Sequence, residues 1–166
     1  MAPSMMKTAQ LGQEKFAELA ADLLRGGASI RFRALGQSMS PMIRDGDVLT
    51  VEPARLEDLR VGEVALHRIS ERQVVAHRVV GRRAEDGRRV LTTRGDAVLG
   101  APDSVSEGDV LGRVIERERD GRVVRMNGRL RQAGGRLWVT LLALRGLAAR
   151  SLGWGRRLAA RLRRRT

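Results

Sequence analysis

At Gly26-Gly27 the spacing of apolar residues changes character, and this change limits the possible folds more than any other feature of the chain. Upstream, Phe16, Leu19, Ala20, Leu23 and Leu24 recur at i, i+3, i+4, i+7 and i+8, the repeat of one helix face. Residues 10–26 are therefore expected to form a helix that the two glycines stop. Downstream come short strand-like runs at 30–35, 48–51, 61–69, 74–80, 90–93, 110–118 and 123–126, separated by turn residues. Gly46-Asp47 reads as a turn into the second run, and Ala84-Glu85-Asp86-Gly87 and Asp120-Gly121 read as hairpin turns. Short strands following one helix predict a mainly β, antiparallel domain. A second helix is expected over 136–165, where Leu137, Leu141, Leu144, Ala148, Leu152, Leu158 and Leu162 share one side and Arg150, Arg157, Arg161 and Arg164 lie roughly opposite. Gly146, Gly153 and Gly155 each weaken that helix by about 1 kcal/mol relative to alanine. The expected organisation is an N-terminal amphipathic helix over 1–28, a β domain over 29–128 and a basic helical tail over 129–166.

The net charge of +13 suggests a nucleic-acid partner until the charges are located. Of the 32 basic side chains, 13 arginines fall after Asp120, the last acidic residue, which leaves 19 basic against 19 acidic in the body. A neutral body with a basic end argues against a DNA-reading surface. Aromatics at 2%, with no tyrosine, also leave almost no platform on which single-stranded nucleic acid could stack. The tail over 136–165 suits an anionic membrane surface, or else a helix packed on the β domain with its arginines solvated. The N-terminus has no apolar core of signal-peptide length, and the longest uncharged apolar run, Leu137 to Leu144, has eight residues. The expectation is a cytoplasmic protein, peripheral to a membrane wherever the tail engages one.

Without cysteine there is no disulfide framework, thiolate nucleophile or sulfur-bound zinc. With only two histidines, nothing in the spacing calls for a metal or cofactor. The segment that carries chemistry is Leu35-Gly36-Gln37-Ser38-Met39-Ser40-Pro41, followed by Gly46-Asp47: one serine on a bend between residues of restricted or special backbone freedom. A serine hydroxyl needs a base. Lysine occurs only at positions 7 and 15, within or before the first helix, so a Ser-Lys dyad is disfavoured. His77 lies in Val74-Val75-Ala76-His77-Arg78-Val79-Val80, where alternation sets it between Val75 and Val79 on one face. Partial desolvation there favours the neutral imidazole. His67 is expected to be structural or at the surface. A histidine base needs a third group to hold its tautomer. Asp96, after Gly95, and Asp103, after Pro102, are both in range, and each could equally serve its own turn.

Read in order, Gly36-Gln37-Ser38-Met39-Ser40-Pro41, Gly46-Asp47, Val61-Gly62-Glu63-Val64, His77-Arg78-Val79-Val80, Thr93-Arg94-Gly95-Asp96 and Gly112-Arg113-Val114 resemble the S24/S26 serine peptidase superfamily. Within it they are most similar to type I signal peptidases of the archaeal and endoplasmic-reticulum kind. The blocks span roughly residues 30–115. The resemblance implies a LexA/signal-peptidase-like β fold, with Ser38 as nucleophile and His77 in the place that lysine takes elsewhere in the superfamily. Asp103 lies where the essential aspartate of this branch is expected, and Asp96 matches the Gly-Asp block itself. The Asp96–Asp103 spacing is slightly longer than in the eukaryotic pattern. The resemblance also implies an oxyanion site at the Ser38 amide, with Met39 walling the pocket. The transmembrane helix that anchors preprotein-cleaving members is expected to be missing here, with an amphipathic helix in its place. The expected function is a serine endopeptidase acting on an extended peptide or protein substrate. The alternative is a catalytically inactive peptidase-fold binding module tethered by its basic tail. A LexA-type self-cleaving regulator fits less well, because the catalytic lysine and a helix-turn-helix are missing.

Overall fold

Helix α1 (Pro3–Arg25) packs across a single eight-stranded sheet in the computed structural model, which describes residues 3–126, with side chains from residue 12 onward. Proline opens α1, where its missing N–H removes no helical bond. The helix ends in a Schellman turn: Gly27 takes φ +86°, its N–H bonds the Leu24 carbonyl, and the Ala28 N–H bonds the Leu23 carbonyl. The helix therefore starts earlier than its apolar pattern indicates and stops at the expected glycines. The helix expected over 136–165 lies outside the described residues.

The strands are β1 (Ile30–Arg33), β2 (Val48–Pro53), β3 (Val64–Ser70), β4 (Gln73–Glu85), β5 (Arg88–Arg94), β6 (Asp103–Val105), β7 (Val110–Arg119) and β8 (Arg122–Arg125). They run in the order β1-β2-β7-β3-β4-β5-β6, with β8 on β7, and every pairing is antiparallel. The two predicted hairpins form at Asp86-Gly87 and Asp120-Gly121. All four residues have positive φ, as a two-residue type I′ turn requires. Strand β3 starts at Val64, later than expected, because Gly62 (φ +98°) and Glu63 form a turn bonded to Val79 and Arg60.

Alternation along β3 sends Val64 and Leu66 to one face and Ala65 to the other, and both faces are buried. The first face joins Ala20, Ala21 and Leu24 of α1 to Met39, Ile43, Leu49, Val51, Leu111 and Val114. The second collects Leu56, Leu59, Val79, Leu91 and Val105.

Strand β4 changes partner along its length. Residues 73–78 pair with β3 and residues 78–85 with β5, so the handover falls at Arg78. Among the described residues no strand pairs with 73–77 on the side away from β3.

Candidate active site

Ser38 sits exposed in a tight turn closed by the Ser40 N–H on the Gln37 carbonyl, 3.0 Å away. The approach to the turn is fixed at Gly36, which has φ +90° and whose N–H bonds Asp45 Oδ1 at 2.8 Å. The exit is tied to β7. Arg117 Nη1 donates to the Met42 carbonyl at 2.8 Å, and Arg119 grips the buried Asp47 carboxylate through Nε and Nη2, both at 2.7 Å. Burial opposes ionisation of Asp47, but the Arg119 bonds and the Arg44 N–H outweigh it and hold its carboxyl below the usual carboxylate range.

The Ser38 backbone also meets the turn after β5. The Ala97 N–H donates to the Ser38 carbonyl at 2.8 Å. Gly95 lies so close that a Cβ there would sit 2.6 Å from that carbonyl oxygen. Between these two residues, Asp96 is buried and holds Arg78 in a two-pronged pair, with Nε–Oδ1 at 2.7 Å and Nη2–Oδ2 at 2.6 Å. Arg78 Nη1 also donates to the Gly62 carbonyl at 2.7 Å. The turn that carries the Ser38 contacts is thus anchored to β4 at the residue after His77.

His77 is largely buried, and its Nδ1 lies 3.2 Å from Asp103 Oδ2. With that nitrogen as donor, Nε2 is left to accept a proton. Of the two candidate carboxylates, Asp103 therefore contacts His77, while both oxygens of Asp96 are engaged by Arg78. Asp103 is not a turn residue, the other role that the sequence left open to it. It opens β6, opposite Thr93 on β5, and that pairing brings it within reach of His77.

His67 is fully buried, its Nδ1 is 3.0 Å from the Arg68 carbonyl, and its Nε2 is 3.1 Å from Thr93 Oγ1. Its ring stands edge-on to His77 at a centroid separation of 5.7 Å. Burial first, and then the neighbouring His77, hold its pKa below the ordinary 6.5, so it sits beside His77 as a neutral ring.

A cleft of about 610 Å³ runs past Ser38. Its walls include Arg33 at the end of β1, the following residues Ala34, Leu35 and Gly36, and residues Gln73–Ala76 of β4, the stretch before His77. Met39, buried in the first core face, forms part of the floor. No group of three or more His, Cys, Asp or Glu that could hold a metal ion occurs among the described residues. Among the same residues, no helix is long and apolar enough to cross a membrane.

Sequence reasoning missed Arg78 and Gly95. A charged residue alternating with valines reads as solvent-facing, whereas Arg78 is buried with its guanidinium held by Asp96 and the Gly62 carbonyl. Both residues stand inside the blocks that carried the family resemblance, which was the one available signal.

A family model described as Peptidase S24-like matches residues 3–115. The chain belongs to this family. The match spans α1 through most of β7 and so includes Ser38, His77, Asp96 and Asp103. No curated protein gives a significant match to the chain. Membership assigns a peptidase fold to this S24 protein, and the LexA/signal-peptidase-like expectation agrees with the observed antiparallel sheet behind one N-terminal helix.

Proposed function

We propose that this S24 protein is a serine endopeptidase with Ser38 as nucleophile, His77 as general base and Asp103 as the group that orients the imidazole. The observation that carries the reading is the His77 Nδ1–Asp103 contact on the strand that lines the Ser38 cleft. Ser38 Oγ attacks the peptide carbonyl carbon as its proton passes to His77 Nε2. The tetrahedral intermediate collapses, and the leaving amine takes that proton from the imidazolium. Water then attacks the acyl ester by the same route and releases the acid. The Ser38 main-chain N–H is the oxyanion donor that family resemblance suggests, with Met39 beneath it.

The substrate is an extended peptide. Strand addition requires an unpaired backbone edge, and residues 73–77 of β4 offer one beside Ser38. The resemblance to signal peptidases suggests small side chains near the cut. An anionic membrane surface engaged through 136–165 belongs to the same proposal and would localise the enzyme to that surface.

The test is labelling by a fluorophosphonate probe, read by intact mass, together with cleavage of a peptide library. Ser38→Ala is expected to abolish both and to leave the unfolding midpoint unchanged. Asp103→Asn, which favours the wrong tautomer, should slow acylation by roughly 10³–10⁴-fold. A wild-type protein that neither labels nor cleaves, yet binds peptides, is the binding module instead.

A further inference from the structure

The chain has only two phenylalanines, one on α1 and one on β1, and they meet at the cleft beside Ser38. The rings of Phe16 and Phe32 stand 4.8 Å apart at 56°. Gly12 and Gln13, one turn earlier on α1, line the same space. Leu66, Val74, Ala76, Ile43 and Leu49 line the same cleft. The helix thus contributes a wall to an apolar cleft bounded on its other sides by the sheet and the Ser38 segment. Gly12 leaves the wall low, since a Cβ built there meets nothing within 4 Å. Side chains at alternate positions of an extended peptide fall on the same side, about 6.8 Å apart, so one seated along β4 would direct one set into this space.

We infer that α1 is the specificity wall of the site: Phe16 and Gly12 set the size of the aliphatic or aromatic side chain that an extended peptide can place against α1, at a position apart from the small residues at the cut. Phe16 is a specificity-determining residue, not a catalytic one. The inference rests on the peptidase reading of the same cleft, and the experiment separates the two.

Acetylated heptapeptides, alanine except for one position varied among Ala, Val, Leu and Phe, are assayed for binding to Ser38→Ala proteins and for cleavage by proteins retaining Ser38. Phe16→Ala lowers the wall and is expected to raise the preference for Phe over Val by about tenfold or more, the scale on which hydrophobic pockets discriminate. Gly12→Leu raises the wall and should shift the same ratio the other way; it also replaces a poor helix former, so it does not depend on Phe16→Ala folding. Leu19→Ala, on the exposed face of α1, should leave the ratio at the wild-type value. An unmoved ratio in both wall variants overturns the inference even if Ser38-dependent cleavage is intact, and so does the absence of binding by every peptide. A binding ratio that moves without any Ser38-dependent cleavage upholds the wall and overturns the peptidase reading.

Discussion

Gly95→Ala tests whether the turn after β5 sets the position of the nucleophile. The added methyl would lie 2.6 Å from the Ser38 carbonyl oxygen, 2.9 Å from Val98 Cγ2 and 3.2 Å from the Ser38 carbonyl carbon. To reach even 3.0 Å, a separation below which real Cβ contacts essentially do not occur, the Ser38 carbonyl must retreat by about 0.4 Å. That carbonyl also accepts the Ala97 N–H, so the retreat stretches a 2.8 Å bond and drags the serine with it. A 1 Å misplacement of a reacting group can cost about 100-fold, so a shift of this size should slow fluorophosphonate acylation by roughly 10-fold. Overpacking should cost about 1–3 kcal/mol of stability. The control is Gly112→Ala, whose methyl would lie 2.4 Å from the Glu52 carbonyl oxygen and 2.8 Å from Val51 Cγ1, near the opposite end of β7 from Arg117 and Arg119, the residues that tie the Ser38 segment. The two variants should lose similar stability in a urea titration, and only Gly95→Ala should lose acylation rate. Equal acylation rates in the two folded variants would refute the claim that Gly95 sets the serine.

Asp96→Ala leaves Arg78 buried and robbed of its carboxylate, which should cost about 3–5 kcal/mol in chemical denaturation; the double variant Asp96→Leu/Arg78→Met should cost less. A loss below about 1 kcal/mol for Asp96→Ala would mean that the pair does not anchor the turn. His67 supplies a pH test. Its folded-state pKa lies below 6.5, so the unfolded chain binds a proton first, and stability should fall as pH drops below about 6.5. Comparing unfolding midpoints from pH 7.5 downward, the slope should be shallower in His67→Gln, which cannot titrate; an identical slope would remove His67 from the account.

The elements the sequence made legible are those with local causes. The helix stop is two glycines, both type I′ hairpins are Asp-Gly pairs, and the longer strands each contain several valine, leucine or isoleucine residues. Strand β6 was missed because Asp103-Ser104-Val105 is three residues after a proline, too short and too polar to show alternation. Its existence depends on β5 being there to receive it, and the choice of Asp103 over Asp96 as the neighbour of His77 follows from that pairing. The burial of Arg78 is likewise non-local, since it depends on Asp96 eighteen residues away and on the Gly62 carbonyl. Ser38 could be singled out by the glycine and proline that flank its bend, and His77 because the chain has only two histidines. The wall formed by Phe16 could not, because an aromatic on the apolar face of an amphipathic helix looks the same whether it fills a core or borders a groove.

The partner exchange along β4 has a mechanical consequence. Downstream of Arg78 the ribbon is riveted into a long hairpin, while upstream its outer rim stays open as a docking rail. His77 stands one step before the join, so it inherits the rigidity of the hairpin while the rail beside it remains free to receive an incoming chain.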